Sequence, residues 1–217
     1  MFNPDENRPT DWFEELYFTS NKNGEGIPWA NMKTHPYFQE CLELEPLDGK
    51  GKKAIVVGCG LGDDAIELEK RGYKVTAFDV SESAIAFCKE RFPYSSVSFL
   101  VADLFNYPED WKNSFDFVLE IYTVQALPPR YETEAIGKIS DLVAEKGILL
   151  VISQVNEAPR DFKNGPPWLL TPGHRNVYEQ NRLTLINHSQ KKTTSGSNWV
   201  YFSWFEGTNN GSDHNSV

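Results

Sequence analysis

The stretch Val57-Gly58-Cys59-Gly60-Leu61-Gly62-Asp63-Asp64 has the composition and spacing to bind a ligand through its backbone. Glycines let a chain turn sharply and approach a ligand closely, and a loop that runs into a helix N-terminus aims backbone N–H groups at it. The loop follows the apolar run AIVVG and precedes DDAIELEKRG, which reads as a helix closed by Gly72. Asp79 ends the next apolar run, KVTAFD, 21 residues beyond Gly58. That is close to the spacing of about 20 residues at which a carboxylate grips ribose hydroxyls.

The glycine spacing selects among nucleotide-like ligands. A dinucleotide fingerprint is GxGxxG, whereas here the pattern is GxGxG and Asp63 stands where the last glycine would fall. Asp63 and Asp64 at the helix start would repel a pyrophosphate resting on the same amides, which disfavours NAD and FAD. S-adenosylmethionine has no phosphate, carries a sulfonium and an ammonium, and keeps one carboxylate for the loop amides. Favourable helix-dipole charge on an exposed first turn is the other role open to the two aspartates.

Further candidates lie beyond this loop. Glu120 ends the strand-like FDFVLE, and ligands of open α/β sheets bind beyond the carboxyl ends of the strands, so it could hold an ammonium or accept a proton. A solvated loop glutamate is its alternative role. Trp29, Tyr122 and Trp168 could wall a sulfonium by cation–π attraction, with core packing the alternative for Trp168. Arg160 could pair with an anionic acceptor or lie on the surface. His35, His174, His188 and His214 are scattered, and no His/Asp pair stands out; a structural role is expected for His188. Cys41, Cys59 and Cys88 form no CxxC and are odd in number, which argues for reduced thiols and against a disulfide framework or a zinc site.

Positioning these groups requires strands alternating with helices. After the glycine loop come KVTAFD as a strand, SESAIAFCKERF as a helix with Ser81 as N-cap, VSFLVAD and FDFVLE as strands, YETEAIGKISDLVAE as a helix and GILLVIS as a strand. Such alternation predicts right-handed βαβ units on a parallel sheet. Thr171-Pro172 reads as an N-cap and first helical residue. RLTLINHSQ and NWVYFSWFEG, joined by KKTTSGS, predict a closing antiparallel hairpin. Residues 1–46, with one short helix expected over Pro36–Glu45 and Tyr37, Cys41 and Leu44 on a shared face, read as an N-terminal cover. Within it, Gly24-Glu25-Gly26 would hinge the stiff tip Ile27-Pro28-Trp29 as a lid. The polar tail of residues 207–217 is expected to be disordered.

With these motifs in place, the chain resembles the class I S-adenosylmethionine-dependent methyltransferases over roughly Trp12 to Trp204, through VVGCGLGDD, VTAFDVS, VADL and FDFVLEIYTVQALPP. The resemblance implies an α/β, Rossmann-like, doubly wound, seven-stranded mixed sheet with an antiparallel C-terminal edge hairpin, in a single domain of residues 1–206 with the α/β core at 52–206. It implies that Gly58, Gly60 and Gly62, with Cys59 between them, wrap the methionine part. Asp79 and Val80 would then meet the ribose, and Ala102, Asp103 and Leu104 would lie near the adenine. Asp103 by itself is a typical turn residue. Gly26-Ile27-Pro28-Trp29 with His35-Pro36, Ala126-Leu127-Pro128-Pro129, and Gly165-Pro166-Pro167-Trp168-Leu169-Leu170-Thr171 look like the thiopurine and halide/thiol methyltransferase branch. Relatives there usually carry Asp, Tyr and Thr where this chain has Glu120, Ile121 and Tyr122. Trp29 and Glu120 join the cofactor candidates, and Glu120 and Tyr122 are the catalytic ones. The function so implied is methyl transfer to a small molecule bearing a soft nucleophile, such as a thiol or halide. The alternatives are a cofactor-binding regulatory module without turnover, or transfer to a macromolecule or metalloid oxyanion.

Composition bounds the partners. The chain has 217 residues, 21 Lys and Arg against 31 Asp and Glu, and a formal net charge of −10. An acidic chain is a poor ligand for nucleic acid, whose binding rests on neutralised phosphates. The sequence has no run of about 20 apolar residues for a membrane span, and its start lacks the order of a signal peptide, so a cytoplasmic protein is expected, and its oligomeric state is expected to be monomer or homodimer.

Overall fold

The computed structural model describes residues 8–158, 160, 165–194, 196 and 198–208. Among the described residues, two helices precede the sheet. In α1 (Asp11–Phe18), which the sequence reading missed, Trp12, Leu16 and Tyr17 are buried. In α2 (Pro36–Leu44) the buried face is Phe38, Cys41 and Leu42; Leu44, expected on that face, is exposed.

The sheet elements follow in order: β1 (Lys53–Val57), α3 (Asp63–Lys70), β2 (Lys74–Asp79), α4 (Glu82–Arg91), β3 (Ser98–Val101), β4 (Phe115–Ile121), α5 (Glu132–Ser140), β5 (Val143–Val155), α6 (His174–Glu179), β6 (Leu183–Lys192) and β7 (Trp199–Gly207). Their spatial order is β3-β2-β1-β4-β5-β7-β6. The first five strands are parallel, and β7 and β6 close the edge antiparallel, as the hairpin predicts. Central strands covered on both faces need continuous apolar runs, and Ala54, Ile55, Val56 and Val57 of β1 are all buried. The chain leaves β1 toward β2 on one side and reaches β4 on the other, so a crevice opens where their C-terminal ends diverge.

Local signals fixed several boundaries. Ser81 caps α4 by accepting the Ala84 N–H at 3.0 Å, and Gly72, at φ +90°, stops α3. Three readings are corrected. Val143, Ala144 and Glu145, read as helix, start β5, because Val143 pairs with Phe115 ahead of a register shift. The cap of α6 is Gly173, not Thr171, whose carbonyl accepts from His174 N at 3.1 Å. Gly207 belongs to β7, and Thr208 donates through N and Oγ1 to the Arg182 carbonyl, so the ordered chain passes residue 206. Residues 209–217, and with them His214, lie outside the described residues. No helix among the described residues is long and apolar enough to cross a membrane.

Candidate functional site

A cleft of about 890 Å³ lies over the C-terminal ends of β1, β2 and β4. Its floor is the glycine loop. Gly58, Gly60 and Gly62 all have left-handed φ, at +60°, +52° and +84°. A Cβ on each would lie 2.8 Å from Thr123 Oγ1, 2.9 Å from the Tyr17 hydroxyl and 2.8 Å from the Phe99 ring, respectively. The GxGxG spacing thus follows from three close approaches, while the N–H groups of Cys59, Gly60 and Gly62 are donated within the protein, to the Phe78 carbonyl, Asp79 Oδ2 and the Cys59 carbonyl.

Asp79 is buried beside this loop and lines the cleft. Its Oδ2 accepts the Gly60 N–H at 2.9 Å and its Oδ1 the Ser81 N–H at 3.0 Å, leaving further lone pairs on both oxygens. Burial pushes its carboxyl up, while the amides of Ser81, Gly60 and Val80 oppose the shift. Cys59, Val80, Ala102 and Leu104 also line the cleft. Asp103 does not; its Oδ1 accepts the Phe105 N–H at 2.9 Å, the turn role open to it.

The N-terminal segment closes one side. Trp29 Nε1 donates to the Tyr17 hydroxyl at 3.0 Å, and the Trp29 ring meets those of Trp12, Phe13 and Tyr17 edge-on at centroid distances of 5.9–6.4 Å. Glu14 of α1 accepts from the hydroxyls of Ser81 and Ser83 and from Ser83 N, which ties α1 to the start of α4. Asp63 pairs with Arg91 through two bonds of 2.7 and 2.8 Å, so the acidic helix start is partly neutralised. Asp64 Oδ1 accepts the His35 N–H at 2.7 Å.

His35, Tyr122 and Gln154 line the cleft as well. Tyr122 follows β4 at φ +62°, a conformation costing a bulky residue roughly 1–3 kcal/mol and typical of functional sites. Its ring meets His35 edge-on at 5.3 Å. Burial pushes the Tyr122 hydroxyl up to about 12 and His35 down to about 4, so at neutral pH both are uncharged. Burial, with the charges of Asp63 and Glu67, pushes Asp64 up to about 7 against the His35 N–H.

Glu120 is not among the residues lining the cleft. It is 1% exposed, and its Oε1 accepts from Thr123 N at 2.6 Å and Val124 N at 3.1 Å; burial pushes its carboxyl up to about 7. Trp168 is buried behind Gly165, Pro166 and Pro167, which do line the cleft. Arg160 pairs with Glu132 at 2.7 Å. His174, at the start of α6, contacts Ser153 of β5, and His188 of β6 contacts Ser203 of β7. Tyr17, Gln125 and Gln154, unmarked in the sequence, also line the cleft. For Tyr17 a signal existed: Trp12 and Leu16 lie four residues apart behind the acidic Asp11 and Glu14, an amphipathic first turn.

Residues 54–147 match the profile of the methyltransferase domain family. Solved structures share the fold over most of the chain. The fold is that of a class I methyltransferase. A structure from work on conversion of a disulfide bond into a thioacetal group during echinomycin biosynthesis superposes with a TM-score of 0.74 at 18% identity, covering 94% of this chain and 93% of that one. Burkholderia thailandensis 1,6-didemethyltoxoflavin-N1-methyltransferase, solved with 1,6-didemethyltoxoflavin and S-adenosylhomocysteine, gives 0.69 at 16% identity over 91% and 88%. In sequence, this chain is 33% identical over 120 residues to the ribosomal protein L11 methyltransferase of Tolumonas auensis, covering 54% of this chain and 39% of that protein. The chain therefore spans about two fifths of that relative's length in the alignment.

Proposed function

We propose that this chain is an S-adenosylmethionine-dependent methyltransferase acting on a small molecule with a soft nucleophile, by direct in-line transfer. The observation that carries the reading is the cleft itself. At about 890 Å³ it lies near the top of the ~300–1,000 Å³ range of small-molecule sites, and it joins the glycine cradle and Asp79 at one side to Tyr122 and His35 at the other.

The residues fit the cofactor. The left-handed turns at Gly58, Gly60 and Gly62 hold the loop against Thr123, Tyr17 and Phe99 where side chains would push it away, Asp79 keeps free lone pairs for hydroxyls, and Ala102 and Leu104 offer apolar flanks. Bound there, the cofactor supplies a methyl group already activated on a sulfonium. What remains for the chain is to position the acceptor and exclude water. Trp29 and Tyr17 cover the cleft from the N-terminal side, and Tyr122, His35 and Gln154 wall its far end. Neither His35, whose basicity burial lowers, nor Tyr122, which stays protonated, offers a strong base at neutral pH, which suits a thiol or similar acceptor that needs little help in losing its proton.

The thiopurine and halide/thiol branch is supported by convergence. Its three sequence stretches supply Pro28 and Trp29, Ala126 and Leu127, and Gly165, Pro166 and Pro167 to the same cleft. The test is a tritiated-methyl transfer screen over thiols, halides, metalloid oxyanions, small amines and a ribosomal protein preparation. Transfer to a thiol or halide is expected. Transfer to the protein fraction alone would overturn the small-molecule reading, and binding of S-adenosylhomocysteine without transfer to any acceptor would favour a regulatory module.

A further inference from the structure

We propose that Glu120 is a positioning residue: its carboxylate braces the turn after β4, which holds the cofactor cradle and the acceptor wall in register. The inference rests on the reading of the cleft given above. Glu120 and Val57 are paired in the parallel register of β4 and β1, so the two loops that form the cleft part from this point. Beyond it, Glu120 Oε1 takes both the Thr123 and the Val124 N–H. Thr123 is thereby set so that its hydroxyl donates to the Val57 carbonyl at 3.1 Å, and its side chain fills the space a Cβ on Gly58 would need. Tyr122 sits between the braced residues and β4, held by its N–H to the Ile152 carbonyl at 3.1 Å in a backbone conformation that bulky residues resist. The brace extends further. Gln125 Oε1 accepts from Gln154 N at 2.7 Å, and the Gln125 carbonyl accepts from Trp168 N at 2.7 Å, which anchors the loop carrying Pro166 and Pro167.

Both amides converge on one oxygen, and Glu120 Oε2 has no hydrogen-bond partner among the described residues. A brace needs only an acceptor oxygen, which a glutamine supplies, whereas an ammonium ligand or proton acceptor needs the charge. Glu120→Ala and Glu120→Gln therefore separate the two roles. In Glu120→Ala, amide hydrogen exchange at residues 122–126 should quicken at least about tenfold and S-adenosylhomocysteine should bind about tenfold more weakly by calorimetry. Glu120→Gln should stay within about threefold of the parent in both, and in methyl transfer to thiophenol should keep the parent's pH profile. Should Glu120→Ala not fold, Glu120→Gln decides alone. A glutamine variant that loses ligand affinity, or an alanine variant with unchanged exchange, overturns the brace. If the parent itself binds no S-adenosylhomocysteine the proposed function fails, and exchange at 122–126 still tests Glu120.

Discussion

Along the floor of the cleft, the lining is the consecutive run of residues 57–62 and one carboxylate, Asp79, held by the amides of Gly60 and Ser81. Along the far wall, His35, Tyr122, Gln154 and residues 165–167 arrive from four separate segments and present mostly side chains. The floor is made by backbone geometry that a short local sequence encodes, so it tolerates little change. The wall is made by loops on a rigid sheet, where side chains can change without altering the scaffold, as the proposed function requires of an acceptor site.

The comparison can be broken most severely at the floor. Gly62→Ala places a Cβ 2.8 Å from the Phe99 ring and 3.0 Å from Cys88 Sγ at φ +84°. Left-handed strain and overpacking together should cost about 3 kcal/mol and lower Tm by roughly 6–12 °C in a thermal melt. A shift under about 2 °C would show that the loop relaxes freely.

Ligand binding should divide the two regions next. Asp79→Asn leaves an amide donor opposite a backbone N–H and should weaken S-adenosylhomocysteine by at least about tenfold in calorimetry. Tyr122→Phe should leave that affinity within about threefold and instead raise the KM of the methyl acceptor. Equal losses in both variants would dissolve the distinction between floor and wall.

The pH dependence of stability comes next in size. Asp64 and Glu120, both pushed up to about 7 by burial, bind more protons folded than unfolded between about pH 4 and 7, so their contribution to stability falls as pH rises. His35 and His174, pushed down to about 4 by burial, bind fewer protons folded than unfolded up to about pH 6.5, so theirs rises. The slopes oppose each other below about pH 6.5. Asp64→Asn removes one falling contribution yet keeps an acceptor for the His35 N–H. Its stability advantage over the parent should grow from nothing near pH 4 to about 1 kcal/mol at pH 8, discounted for partial exposure. Urea melts that show a pH-independent difference would contradict this.

The smallest effect concerns the N-terminal cover. Tyr17→Phe removes the acceptor for Trp29 Nε1, but Trp29 is 39% exposed and water can replace the bond. A loss of about 0.5–1 kcal/mol is expected, with red-shifted Trp29 emission on undocking. Hydrogen exchange across residues 20–35 then separates lid from fixed cover: protection that appears only with S-adenosylhomocysteine supports a lid, and equal protection without it a docked segment.

The order of strands, the closing hairpin, the Ser81 cap and the glycine loop were legible because each depends on neighbours within a few residues or on a repeated apolar period. Helix α1 was hidden because aromatics crowd its eight residues, and the start of β5 was hidden because Val143, Ala144 and Glu145 suit a helix until pairing with Phe115 decides.

Glu120 shows the limit most clearly. Its place at the end of a strand was readable, but the direction of its carboxylate was set by two amides of the following turn and by the register of β4 against β1. The sequence by itself determined the glycine-rich floor, since glycine spacing and a strand-end aspartate act through local backbone conformation. Only the tertiary structure decided the far wall, because His35 meets Asp64 across 29 residues and Gln125 meets Gln154 across another 29, contacts that exist only once the sheet has brought those loops to one end.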